Sequence, residues 1–138
     1  MRELLLAAAC LASFACDSAT DSADALDITG TWEYDASQAS PSLDIDGRLR
    51  IDEQEGSFFS GSAELTETDL LGTPRNRTGV LTGSLVGGAA VVQFDMFIGT
   101  ASRRHVGIIS YADSMAGTWA VTAVTPPITG AFSARRVR

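Results

Sequence analysis

The chain has 138 residues, a net charge of −7 and not one lysine. That length leaves room for one domain after a leader is removed. The acid excess argues against a nucleic-acid partner, which needs a basic footprint.

Met1 to Glu3 carry a small positive charge once the free amine is counted, and Leu4 to Phe14 is an uncharged apolar run. Such a run is too short to span a bilayer but suits the core of a signal peptide. It ends in Ser13-Phe14-Ala15-Cys16. Small residues at 13 and 15 fit signal-peptidase cleavage after Ala15, which predicts a signal peptide over 1–15. The segment resembles a lipobox, in which a cysteine at the new N-terminus accepts lipid, with Ser13 standing where leucine is usual. Cys10 leaves with the leader, so Cys16 is the only cysteine of the mature chain. Exported domains use cysteines mainly in pairs, and an unpaired one at this position is expected to be a lipid anchor. Residues 16–27 are then a lipidated tether, since DSATDSADALD is too polar to order itself. The protein is expected in the cell envelope, attached to a membrane through that lipid. The choice between inner and outer membrane stays open, as does the oligomeric state.

From Ile28 to Arg138 the chain reads as short strands separated by turns. The expected strands are 28–35, 43–54, 57–68, 78–86, 89–98, 103–111, 114–124 and 128–136, with 69–77 a loop. The second alternates cleanly at Leu43, Ile45, Leu49 and Ile51, and the fifth at Val92, Phe94, Met96 and Ile98. Turn signals such as Glu55-Gly56, Gly87-Gly88 and Pro126-Pro127 separate them. A motif of apolar, small, Gly, small, apolar recurs around Gly30, Gly61, Gly83, Gly117 and Gly130. Its period of two puts each glycine on the same face as its apolar neighbours. Glycines on a concave face allow bends or close backbone approach, as a strongly coiled sheet needs. The expected fold is therefore all-β, an eight-stranded antiparallel up-and-down barrel over 28–138. A membrane barrel is disfavoured, because the aromatics are too few for two girdles and the outward positions carry many charges.

Charge is unevenly divided. Residues 1–69 hold fifteen of the seventeen acids, and residues 70–138 hold seven of the ten arginines. This is expected to reflect unequal solvent faces. The sharper alternative is a dipolar barrel whose walls attract different partners.

Ile28-Thr-Gly-Thr-Trp32 resembles the opening strand of streptavidin relatives, and Gly30-x-Trp32 the first signature of lipocalins. Both belong to the calycin group. The resemblance implies a barrel that holds a ligand in its mouth, with a basic side chain of the last strand packed on the first-strand tryptophan. Arg135 and Arg136 are the candidates, and Arg135 is taken as the structural one. Tyr34 replaces the asparagine that biotin sites use, so biotin is not the expected ligand.

Catalytic chemistry has little to stand on. His105 is the single histidine, without a zinc ligand set or a nucleophile elbow, and is read as a surface or strand residue. Asp44-x-Asp46-Gly47 lacks the spacing of a calcium loop. Asp52, Glu53 and Glu55 suit a solvated hairpin end. No enzyme, metal or cofactor is expected. Trp32 and Trp119 should point inward, either as core or, with Phe94, as the lining of an apolar cup near Tyr34 and Tyr111. Two functions follow: capture of a small apolar ligand, or a protein-interaction role in the envelope such as protease inhibition or assembly.

Overall fold

The structure is a computed structural model and describes residues 26–87 and 90–138. Cys16, the signal peptide and most of the expected tether lie outside the described residues.

Eight antiparallel strands close into a barrel in sequence order. They are β1 (Gly30–Gln38), β2 (Leu43–Glu55), β3 (Phe58–Asp69), β4 (Pro74–Val86), β5 (Val91–Ile98), β6 (Ala101–Ser110), β7 (Ser114–Val121) and β8 (Ile128–Arg136). No helix occurs among the described residues. β8 pairs with β1, so no edge is left to recruit another strand. The expected fold class holds. The main departure is β4, which begins at Pro74 rather than inside a loop ending at Arg77, because Arg75, Asn76 and Arg77 pair with Glu67, Thr66 and Leu65 of β3.

Alternation decides what is inside. Trp32, Tyr34, Ile45, Leu49, Leu81, Val92, Met96 and Trp119 are buried almost completely. Burying such side chains contributes about 1.5–3 kcal/mol each. The outward positions are mostly Thr, Ser and charged residues. On the outer wall the register lines up Arg135 with Glu33, Glu33 with Arg48, and Arg48 with Glu64. Glu33 thus stands between Arg135 of the second half and Arg48 of the first, with Glu64 on the far side of Arg48.

Four of the five motif glycines sit where a neighbouring strand comes too close for a side chain. A Cβ on Gly61 or Gly117 would meet the carbonyl of Arg50 or Val106. One on Gly83 would lie 2.5 Å from the Phe94 Cβ and 2.6 Å from the Phe59 Cζ. One on Gly130 would press on the Trp119 indole nitrogen at 2.5 Å. Gly30 departs from this pattern: a Cβ there would meet only Arg136 Nε at an ordinary 3.9 Å, and its φ is +125°, so its role is backbone conformation at the start of β1.

The two rims differ. The connections around 55–58, 86–91 and 110–114 form one rim, where residues 26–29 also enter. There Ile28 is fully buried and closes the barrel. Gln54 holds the segment by accepting from the Ile28 amide at 2.8 Å and donating to the Leu26 carbonyl at 2.7 Å. The connections 38–43, 69–74, 98–101 and 121–128 form the opposite rim, called the mouth below.

Candidate binding site at the barrel mouth

Trp32 lies at the closed rim. Its indole donates to the Ile28 carbonyl at 3.0 Å. Arg136 lies over its ring, 5.4 Å from the centroid, and donates from Nη2 to the carbonyls of Asp27 and Thr29, each at 2.7 Å. The basic partner of the first-strand tryptophan is therefore Arg136. Arg135 is exposed and opposite Glu33 on the outer wall. The phase of β8 explains the difference, because Phe132, Ala134 and Arg136 share the inner face. Sealed by Ile28 and Arg136, Trp32 is core.

Phe94 occupies the middle of the barrel. It stacks on His105 at 4.3 Å between centroids, with Phe132 edge-on to that imidazole at 5.0 Å. His105 is fully buried, not a surface residue. Its Nδ1 lies 3.1 Å from the Arg103 carbonyl and its Nε2 lies 2.8 Å from the Tyr34 hydroxyl. A carbonyl only accepts, so Nδ1 carries the proton and Nε2 accepts from the phenol. Burial holds the imidazole pKa down to about 4, aided by the charge of Arg103. Burial also raises the Tyr34 pKa above its ordinary value. Both groups are neutral near pH 7. Tyr34 is in the core, whereas Tyr111 is almost fully exposed at the closed rim. The expected aromatic cup does not form as one cluster.

Trp119 is different. It sits toward the mouth, beneath Arg103, whose guanidinium carbon is 5.2 Å from its ring centroid. Glu67 fixes Arg103 through an Nη2 to Oε1 contact of 2.6 Å, and Arg77 approaches the same carboxylate at 4.0 Å. Arg103 and Glu67 are each more than nine-tenths buried. Two donors here have no acceptor: Nη1 of Arg103 and Nε1 of Trp119. Buried donors are nearly always paired, and leaving one unpaired costs roughly 1–3 kcal/mol. A third orphan, Arg136 Nε, lies at the closed rim, where its guanidinium already makes two bonds. Sequence reasoning missed Glu67 and Arg103. Their inward phase is readable, but their pairing across 36 positions depends on barrel closure.

At the same rim Asp69 braces the β3–β4 turn. Asp69 Oδ1 accepts from the amides of Leu71 at 2.9 Å and Thr73 at 3.0 Å. The turn holds Leu70 and Leu71 out at 82% and 90% exposure. Among the described residues no group of three His, Cys, Asp or Glu side chains is arranged to hold a metal. Four surface concavities are bounded chiefly by outward-facing residues, such as one lined by Glu33, Ser110, Ser133 and Arg135.

No protein-family model matches the chain, and no curated protein does either. Solved structures do. EF1p2_mFAP2b bound to DFHBI aligns with a TM-score of 0.67 at 10% identity, over 80% of this chain and 94% of that one. The redesigned β-barrel mFAP1, also bound to DFHBI, gives 0.61 at 13% identity, over 79% and 94%. A fluorescence-activating β-barrel designed de novo gives 0.59 at 14%, over 79% and 93%. At these identities the likeness establishes the fold, an eight-stranded antiparallel barrel.

Proposed function

We propose that this protein is a calycin-like binding barrel, exported to the cell envelope and tethered there by lipid on Cys16, that takes a small ligand at its mouth and catalyses no reaction. The observation that carries the binding reading is the pair of orphaned donors, Arg103 Nη1 and Trp119 Nε1, on two buried side chains whose guanidinium carbon and ring centroid are 5.2 Å apart. An occupant with an acceptor group, a carboxylate above all, satisfies both. Leu70 and Leu71 supply apolar contact for the rest of it. The barrel axis is filled by Phe94, His105 and Phe132, so the ligand sits at the mouth and not along the axis. Two comparison structures are described as bound to DFHBI, which supports barrels of this architecture as hosts for small molecules.

The test is a fluorescence titration of the Trp32→Phe variant, whose only tryptophan is Trp119. Apolar carboxylates should change its emission saturably, and the matching primary alcohols should do so far more weakly. A flat response to both series would overturn the ligand reading. Growth with a labelled fatty acid tests the anchor separately: mature protein that retains Cys16 without label would remove it.

A further inference from the structure

We infer that the closed rim is a bilayer-docking surface, with Phe58, Val86, Ile108 and Tyr111 its contact residues. This rests on the lipid-anchor reading of Cys16 but adds an orientation to it.

Leu26 lies at the closed rim, held by Gln54, which also donates to the Gly56 carbonyl in the β2–β3 turn. Phe58, two residues beyond Gly56, is 69% exposed. Cys16 stands ten positions before Leu26, a span of at most about 35 Å however it is arranged. The tether leaves from this rim, so a lipid on Cys16 holds the rim within that distance of the bilayer.

The wall beside that rim is apolar. The register places Val86 opposite Val91, and Val91 opposite Ile108, on the outer face. Ile108 is 63% exposed, and Val106 stands on the same face of β6. Large apolar side chains in adjacent outward positions form a contiguous patch, which marks a contact surface on a folded domain. The exposed acids of the neighbouring hairpin, Asp52, Glu53 and Glu55, are on the β2 side of the rim, so the barrel leans on its β3–β6 side.

The β6–β7 turn stands at the same rim. Tyr111 and Ala112 have φ of 54° and 59°, with the Asp113 amide donating to the Ser110 carbonyl at 3.2 Å. The connection is three residues long, Tyr111 to Asp113, and its first two take a left-handed conformation that favours Asn and Gly, so a bulky residue there is strained. Strained positions cluster where a side chain has a task. Here the strain holds a phenol almost wholly in water. Tyrosine is suited to the headgroup layer, where one end of the ring is apolar and the other wet.

The experiment uses the mature lipidated protein on phosphatidylcholine vesicles. Acylation blocks Cys16, so Tyr111→Cys provides a single site for an environment-sensitive dye, and Leu71→Cys provides the same at the mouth. The Tyr111 probe should be quenched by lipid-borne spin labels and lose quenching by aqueous iodide, while the Leu71 probe keeps iodide quenching. Equal iodide quenching at both sites, with Cys16 shown by mass spectrometry to be acylated, overturns the docking inference and leaves the anchor standing. Loss of iodide quenching at Tyr111 in detergent-free protein without vesicles points to self-association and also overturns it. A mass showing no acyl chain removes both readings.

Discussion

The phenol of Tyr34 donates to Nε2 of His105 at 2.8 Å inside the barrel, across 71 positions of sequence. This bond, with the Arg103 carbonyl on the other nitrogen, fixes a neutral histidine in the core and makes the fold sensitive to acid. The pKa of His105 is lowered from 6.5 to about 4 by burial. The unfolded chain therefore binds the proton first. The stability that neutral burial contributes is whole above pH 6.5 and is lost as pH falls toward 4, to the extent of about 3 kcal/mol. Urea unfolding of the wild type should show a steeper loss between pH 7 and pH 4.5 than the double variant Tyr34→Phe/His105→Leu, which removes both partners together. Parallel pH profiles for the two proteins would contradict the buried-histidine account.

The ion pair at the mouth predicts an asymmetry. Glu67→Leu leaves the Arg103 guanidinium buried without a counter-charge, and such breakage costs about 3–5 kcal/mol. Glu67→Leu combined with Arg103→Met replaces the pair by apolar volume and should fall within about 1–2 kcal/mol of wild type. Chemical denaturation measures both. The double variant is expected to fold and yet lose carboxylate binding, which separates the ligand role of Arg103 from its packing.

Close strand approach is tested at Gly83. Its φ is unremarkable, so alanine there is opposed by contact alone, first with the Gln93 carbonyl and then with Phe94 and Phe59. Overpacking of this kind costs about 1–3 kcal/mol. A thermal midpoint for Gly83→Ala equal to that of wild type would mean that β4 and β5 separate more easily than the register implies.

Arg135 and Arg136 should behave differently although adjacent. Arg136→Met removes the two bonds to the carbonyls of Asp27 and Thr29 and the charge over Trp32, at a cost of about 1–2 kcal/mol. Exchange of the Ile28 amide should accelerate with it. Arg135→Ala, on the exposed wall, should shift stability by no more than about 0.5 kcal/mol. The reverse order would return the structural role to Arg135.

The barrel is legible in the sequence because alternation is strong where one face is dry. Val92, Phe94, Met96 and Ile98 define β5 nearly to its ends, and the Gly-centred motif locates the close approaches at Gly61, Gly83, Gly117 and Gly130. Alternation fails where both faces are polar, as at Arg75 to Arg77, and there β4 reads short. The same rule extended through 101–110 puts His105 inside with Gly107 and Ile109, although its arginine neighbours suggest surface. In β8 the phase of Phe132 and Ala134 already separates Arg136 from Arg135. The Glu67–Arg103 pair and the Tyr34–His105 bond are beyond reach, because each joins strands that meet only through the barrel interior.

If the mouth beneath Arg103 receives an acceptor-bearing ligand, as proposed, the Trp119 indole N–H reports on it directly. In a proton–nitrogen correlation spectrum the chain has two indole signals. Trp32 donates to Ile28 and should stay fixed, while Trp119, without an acceptor, should move downfield as an apolar carboxylate is added. A Trp119 signal that remains stationary across the carboxylate series would contradict the account.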